Sequence, residues 1–407
     1  MTPALGTDVV ERALADRTRA NRDFFDAEAD RLARLCHRMA ERFARGGRLI
    51  AFGRSPAARS DVRHVAVEFV HPVIVGKRAL PAIGLAGEGG GLPDQLALVA
   101  EPDDIAIGFG ADETGESAAG DPHGEVAGAI ALARERGCLT LAFAPAGAEW
   151  EFEPPGPDAQ VRQELVETLY HVLWELVHVF FDHRGLLEGR SERRTHDTGA
   201  SSFLYPFLSE GEHDLETVVA DVCASVLAKS RDVGELRAQT LTDNRDVLIA
   251  AAGSLRSDLD SGGRLLTLGN GGSATDSMDV VADFHRPPDP RWTPRRALDL
   301  TEDPAILTAL ANDIGVEAIF ARQVIAHGRE GDTLLAISTS GNSSNVIAAL
   351  GETRSRGLVT IAMVGYDGGR VAAEGLADHV VVTRSEHIPR IQEAQASAYH
   401  VLRELVG

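Results

Sequence analysis

Short runs that are apolar at nearly every position alternate along this chain with longer stretches in which apolar residues return every three or four positions. Runs of the first kind, such as "RLIAFG", "RLLTLG" and "VTIAMVG", have no polar face, so they predict strands of a parallel sheet covered on both sides. The longer stretches predict helices, at 8–44, 126–138 and 160–182 in the first half and at 214–259, 346–358 and 389–406 in the second. Further strands are expected at 78–85, within 101–110 and at 139–144, then at 295–300 and within 329–340.

The two halves repeat one another. The stretches "GGRLIAFGRSPAARSD" (46–61) and "GGRLLTLGNGGSATD" (262–276) open with the same words, and Gly46 aligns with Gly262 at a period of about 216 residues. The pattern predicts an α/β fold of two doubly wound parallel sheets with flanking helices, arranged as a tandem repeat. The first domain is expected at 1–183, a linker at 184–213 and the second domain at 214–407. The linker's first half is polar, and its apolar "SSFLYPFL" (201–208) is expected to dock on a domain surface.

Bulk properties narrow the partners. A formal net charge of −21 argues against nucleic acid and anionic membranes, while leaving room for one phosphate held at a helix N-terminus. Cys36, Cys138 and Cys223 form no CxxC pair, which predicts reduced thiols in a cytoplasmic protein. No apolar leader opens the chain, and the most apolar stretch, 165–181, carries Glu167, His171, Glu175 and His178. It reads as a helix with a buried face rather than a membrane span.

Two strand-to-helix turns in the second copy carry anion-binding chemistry. "AISTSGNSSNV" (336–346) places hydroxyls at 338, 339, 340, 343 and 344 where a strand ends and a helix begins. Open α/β sheets bind ligands at that edge, and a helix N-terminus favours a negative group. "LGNGGSATDS" (268–277) is the second turn, its glycines letting the backbone approach a ligand. A dinucleotide is the competing ligand, but the full G-x-G-x-x-G spacing is missing.

With "ANDIGVEAIFARQV" (311–324) and "RIQEAQASAYH" (390–400), these motifs resemble, in the same order, those of the phosphoheptose isomerases. These are SIS (sugar isomerase) domain proteins that interconvert sedoheptulose 7-phosphate and a heptose 7-phosphate. The resemblance covers most of 214–407, and the first copy resembles the same fold more weakly. The isomerase half of glucosamine-6-phosphate synthase is another tandem SIS arrangement, but the motif wording is closer to the heptose branch. The resemblance implies a small-molecule sugar phosphate as ligand, its phosphate held by Ser338, Thr339, Ser340 and Ser343. Asn270, Gly271 and Ser273 would lie near the sugar, with Asn312 and Asp313 lining the site. It also implies a divalent metal such as Zn²⁺ and an acid/base set: a His and a Glu four apart after GNGGS, then a Gln and a His eight apart on the last helix. Single-domain members form tetramers, so a homodimer of tandem chains, a pseudo-tetramer of SIS domains, is expected.

The second copy departs from that set. Gln392 and His400 match the last pair, but Asp279 and Asp283 stand where the His and Glu should be, and Pro389 replaces an Asp. The first copy lacks the phosphate loops yet carries His64 and Glu68 four apart in "RHVAVEFVHP" (63–72). It also carries Gln163 and His171 eight apart in "RQELVETLYH" (162–171). By resemblance, His64, Glu68, Gln163 and His171 form the metal set, with Asp279, Asp283, Gln392 and His400 as the alternative. Glu68 is the expected base and His171 the expected acid of an aldose–ketose isomerisation through an enediolate. Phosphate binding by copy two and chemistry by copy one would make a composite site. The competing reading is a non-catalytic phosphosugar-binding regulatory or assembly protein.

Overall fold

A computed structural model describes residues 3–73, 77–86, 90–110, 124–182, 187 and 214–407. Apart from Leu187, the expected linker, with its "SSFLYPFL" segment, lies outside the described residues. The first half runs α1 (Pro3–Ala44), β1 (Leu49–Phe52), α2 (Pro56–Val70), β2 (Ala82–Leu85), α3 (Leu92–Val99) and β3 (Ile105–Gly108). It continues with α4 (Glu125–Glu135), β4 (Leu139–Ala142), β5 (Trp150–Glu151) and α5 (Ala159–Asp182). The second half runs α6 (Leu215–Asp243), α7 (Arg245–Asp260), β6 (Leu265–Leu268), α8 (Gly272–His285), β7 (Ala297–Asp299) and α9 (Pro304–Asp313). After a 3₁₀ turn at Val316–Ala318 come α10 (Ile319–His327), β8 (Thr333–Ser338), α11 (Ser344–Ser355), β9 (Val359–Gly365), α12 (Gly369–Ala373), β10 (His379–Thr383) and α13 (Ile388–Val406).

The two sheets have the same parallel topology. One is ordered β2-β1-β3-β4-β5 and the other β7-β6-β8-β9-β10. This is the doubly wound α/β fold expected from the fully apolar runs, and strands β1, β3, β4, β6 and β8 are buried at every position. By contacts the chain divides into two compact units. The C-terminal unit comprises Met1–Ala20, Asp158–Glu164 and Asp232–Gly407; the N-terminal unit comprises Asn21–Pro157 and Leu165–Arg231. Val9, Val10 and Ala13 of α1 thus join Leu248, Leu255, Ile337, Met363 and Leu402 in one core of the C-terminal unit. In the N-terminal unit, Ile50, Phe52, Leu96, Ala106 and Ile130 pack one face of the sheet.

Three expectations are revised. The single helix expected over 214–259 is two helices, broken at Asn244, whose side-chain nitrogen donates to Thr240 O (2.8 Å) and to Val382 O (2.9 Å) of β10. Its side-chain oxygen accepts from Val382 N at 2.9 Å, so the break ties the helix pair to the sheet edge. The strand expected at 78–85 is confined to Ala82–Leu85. Beyond the four strands expected in each copy there is a fifth, β5 and β10.

The repeated Gly-Gly-Arg words have a structural explanation. Each opens a strand by crossing close to the turn before the next one: a Cβ on Gly47 would sit 2.0 Å from Asp103 O, and one on Gly263 1.9 Å from Gly331 O. The arginine that follows is clamped by the aspartate that opens that strand. Arg48 N donates to Asp104 Oδ1 at 2.7 Å, and Arg264 N to Asp332 Oδ1 at 3.0 Å. The same chemistry recurs because the same strand crossing recurs. A cavity of about 490 Å³ lies beside the second of these turns, lined by Arg264, Arg296 and Arg329. It lies at the strand N-terminal edge, where Arg264 donates to the carbonyl of His327 at the end of α10, so it is unrelated to the anion-binding turns.

Gly263→Ala is expected to destabilise the protein by more than about 1 kcal/mol, because backbone must move to admit the methyl. Gly253→Ala, in the interior of α7 with nothing within 4 Å of the added methyl, is expected to be neutral or stabilising by up to about 1 kcal/mol. Urea unfolding of the two variants checks the contrast.

Candidate functional site

The two turns expected to hold phosphate lie at the C-terminal ends of β6 and β8, the adjacent strands where the winding of the sheet reverses. After β8, the Ser338 hydroxyl accepts from Gly341 N (3.2 Å) and lies 3.4 Å from the Ser343 hydroxyl. The Ser340 hydroxyl accepts from Asn342 N at 3.2 Å. Gly341 (φ +61°) passes so close to Gly368 O that a Cβ there would lie 2.3 Å from it, so the loop cannot carry a side chain at this point. Ser338 is buried, and Thr339, Ser340 and Ser343 are partly exposed. Ser343 is the N-cap residue of α11, yet its hydroxyl makes no capping bond; Gly271 (φ +59°) holds the same place before α8, where no side chain can cap. Two helix N-termini are thereby left without side-chain caps, an arrangement suited to an anion.

The two turns are joined. Asn270 Nδ2 donates to Asn345 Oδ1 at 3.0 Å, and Asn345 Nδ2 donates back to Asn270 Oδ1 at 2.9 Å. Asn345 was not singled out in the sequence, although it ends the same Ser-rich run. Asn270 and Gly271 are exposed, and Ser273 is buried in the first turn of α8. Asn312 and Asp313 are exposed at the end of α9, where Asn312 Nδ2 donates to Asp313 Oδ1 at 2.7 Å.

The corresponding turn of the N-terminal unit is closed by its own residues. Ser55 caps α2 by accepting from Ala58 N (3.1 Å), and Pro56 removes one of the first helical N–H groups. Arg54 pairs with Glu125 and donates to Gly90 O at 2.6 Å. The helix N-terminus that would meet an anion is already satisfied.

The acid/base positions show the reverse contrast. In the C-terminal unit, α8 brings Asp279 and Asp283, one turn apart, toward His400 of α13. Gln392 is buried on the same helix. His400 lies between two carboxylates, with Nδ1 2.8 Å from Glu164 Oε1 and Nε2 3.2 Å from Asp279 Oδ2. Asp283 Oδ2 is 3.9 Å from Nε2, and the Gln160 amide donates to it. Arg17 adds a guanidinium on Glu164 at 2.8 Å, and Ser397 donates its hydroxyl to the other Glu164 oxygen. All of Arg17, Glu164, Asp279 and His400 are at most 2% exposed. Burial opposes charge on His400, but the hydrogen bonds to Asp279 and Glu164 outweigh it and push its pKa up to about 10. Burial would raise Glu164, yet Arg17 and then His400 hold it well below the usual carboxylate range. Asp283 is raised to about 7 by burial and then by Asp279. Both ring nitrogens of His400 are thus within hydrogen-bond distance of carboxylates supplied by the chain itself. Arg17 and Glu164 escaped the sequence reading because both lie far from His400 in the chain.

In the N-terminal unit, α2 carries His64 and Glu68 one turn apart, and α5 carries Glu167 and His171 one turn apart. His64 Nε2 and His171 Nε2 face each other at 3.3 Å, and Glu68 Oε1 is 3.9 Å from His64 Nε2. Among the described residues, His64, Glu167 and His171 are the group whose ligand atoms converge, all within 4.8 Å of one another. Burial, and then His171, lowers the His64 pKa well below its ordinary value, which keeps the imidazole neutral and able to ligate. Gln163 falls within the Asp158–Glu164 segment of the C-terminal unit. Among the described residues, no helix is long and apolar enough to cross a membrane.

The chain is similar in sequence to known phosphoheptose isomerases. The SIS domain family model matches residues 230–365. A phosphoheptose isomerase of Chlorobium phaeobacteroides is 40% identical over 200 residues, covering 47% of this chain and 82% of that protein. Another, from Nitratidesulfovibrio vulgaris, is 38% identical over 186 residues, covering 44% of this chain and 86% of that protein. Among solved structures, the C-terminal domain of glucosamine-fructose-6-phosphate aminotransferase from Francisella tularensis aligns over 98% of this chain and 95% of its own, with a TM-score of 0.58. At 9% identity that likeness speaks for the fold alone.

The His400 cluster predicts a pH profile. Its folded pKa, about 10, lies above the ordinary 6.5, so its stabilisation is complete below about pH 6.5 and is lost as pH rises toward 10. Asp283, with a folded pKa of about 7 above the ordinary 3.8, loses its contribution between about pH 3.8 and 7, so the limb above pH 7 belongs to His400. Urea unfolding should therefore show stability falling from pH 7 to 10, and His400→Gln should flatten that limb. Glu164→Gln leaves the Arg17 and His400 charges without their shared partner and should cost ~3–5 kcal/mol at pH 7.

Proposed function

The chain belongs to the phosphoheptose isomerase family, and on that footing we propose that it is a phosphosugar isomerase. Its substrate in this reading is sedoheptulose 7-phosphate, isomerised between ketose and aldose through an enediolate. The observation that carries the reading is the cradle itself: two helix N-termini without side-chain caps, joined by the Asn270–Asn345 amide pair and lined with hydroxyls. Ser338, Thr339, Ser340 and Ser343 hold the phosphate, with Asn270, Gly271, Ser273, Asn312 and Asp313 directed to the sugar, as in the relatives' motifs. Hydroxyl and backbone donors bind the dianion without adding a counter-charge, which suits a chain of net charge −21.

Proton transfer belongs to the N-terminal copy. Glu68 takes the proton from the carbon beside the carbonyl, and His171 returns it to the neighbouring carbon. Both side chains are buried, at 2% and 0% exposure, so water competes poorly for the transferred proton. Two imidazole Nε2 atoms and a carboxylate also form a donor set that fits a divalent ion such as Zn²⁺. Such an ion, when bound, supplies polarisation of the carbonyl oxygen and stabilisation of the enediolate charge. The working form is taken to be a cytoplasmic homodimer of tandem chains.

A second reading, a phosphosugar-binding protein without turnover, draws on the ion-paired state of His400. The purified chain separates the two in D₂O. Isomerase chemistry incorporates deuterium at the carbon next to the carbonyl of sedoheptulose 7-phosphate, and a chelator abolishes it. Ligand-induced line broadening without incorporation would favour the binding protein. Ser340→Ala should raise KM about tenfold or more, the loss of one hydrogen bond to a charged group.

A further inference from the structure

The last helix of each copy aligns without gaps. Gln163 matches Gln392, Glu164 matches Glu393, Tyr170 matches Tyr399 and His171 matches His400. One difference bears on chemistry: Glu167 of the first copy stands opposite Ala396 of the second. The first copy's helix carries a buried carboxylate, one turn before its histidine, at a position where the second copy has alanine.

That carboxylate meets a particular pair of groups. The rings of His64 and His171 lie at 77° to each other with centroids 5.0 Å apart, and each packs edgewise on Tyr170. Their Nε2 atoms are 3.3 Å apart. Two nitrogens bound at 2.0–2.1 Å to one tetrahedral ion are separated by roughly 3.3 Å, so the imidazoles already stand at the spacing of a shared metal. The Glu167 carboxylate is the third donor in reach. Two imidazoles and a carboxylate buried together form a donor set of the kind that divalent cations take.

We propose that Glu167 is a metal ligand: His64, Glu167 and His171 form a two-histidine, one-carboxylate site for a divalent ion of the Zn²⁺ class, in which Glu167 takes the place that the family motif gives to Gln163. The inference rests on the reading that the first copy carries the chemistry. It also resolves the double role expected of Glu68. With Glu167 supplying the carboxylate ligand, Glu68 is the group that moves the proton in both directions beside the ion, and His171 serves as a ligand in place of the acid role.

The test uses the full chain stripped of metal, titrated with Zn²⁺ against a competing chelator and with Co²⁺ followed by its visible absorption. The wild type should bind one ion per chain at this site, with the intense absorption of a four-coordinate Co²⁺. Glu167→Gln should weaken binding by about 100-fold or more, since even outer partners of a ligand contribute 10–100-fold. Gln163→Ala and Glu68→Gln should stay within a few-fold of the wild type in affinity. Glu167→Asp should restore part of the lost affinity, and metal-free melting of each variant at the wild-type temperature would confirm that folding is intact. Wild-type affinity in Glu167→Gln, or a loss confined to Gln163→Ala, would overturn the assignment of Glu167 while leaving a metal in the first copy. Absence of any ion in the wild type would overturn both.

Discussion

The first N–H groups of a helix have no partner within the helix, and the two copies meet that demand in opposite ways. Before α2, Ser55 and Pro56 settle it with the chain's own atoms. Before α8 and α11, neither Gly271 nor Ser343 caps its helix through a side chain, and the Asn270–Asn345 pair joins the two turns. A helix end closed by its own cap gains stability and loses a ligand; an open end keeps the capacity to bind an anion. The proposed phosphate site depends on that difference between the copies.

The same contrast, inverted, governs the buried ionisable groups. A charge in the interior must be matched locally. Around His400 the match is internal: Arg17, Glu164 and Asp279 complete the hydrogen bonding, and the histidine becomes part of the framework. Around His171 three donors converge on a common point, with the imidazoles at metal-sharing distance. In the proposed reading, one copy keeps the turns for phosphate and the other keeps the groups for proton transfer. Duplication permits this, because each half can lose the function that the other retains.

Much of this was legible in the chain. Continuous apolar runs such as "LLAI" identify a covered parallel sheet, and the Gly-Gly-Arg words mark the repeat because a tight strand crossing admits no side chain at Gly47 or Gly263. The Ser-rich turn was readable because hydroxyl density at a strand–helix junction has few purposes. Other features depend on distant partners. The break at Asn244 depends on Val382, almost 140 residues away, so a lone Asn in a helical pattern gave no warning. The β10 strand alternates only weakly between buried and half-exposed positions. Glu167 sits in an apolar helix where a carboxylate one turn from a histidine resembles an ordinary ion pair, and only the facing His64 gives it a different meaning.

The division of labour between the copies is most directly tested by proton exchange into sedoheptulose 7-phosphate with two histidine variants measured side by side. The account predicts that His171→Ala abolishes exchange while ligand binding persists, and that His400→Gln, at a temperature where it remains folded, still exchanges. Exchange that survives in His171→Ala and disappears in folded His400→Gln would place the chemistry in the C-terminal copy and contradict it.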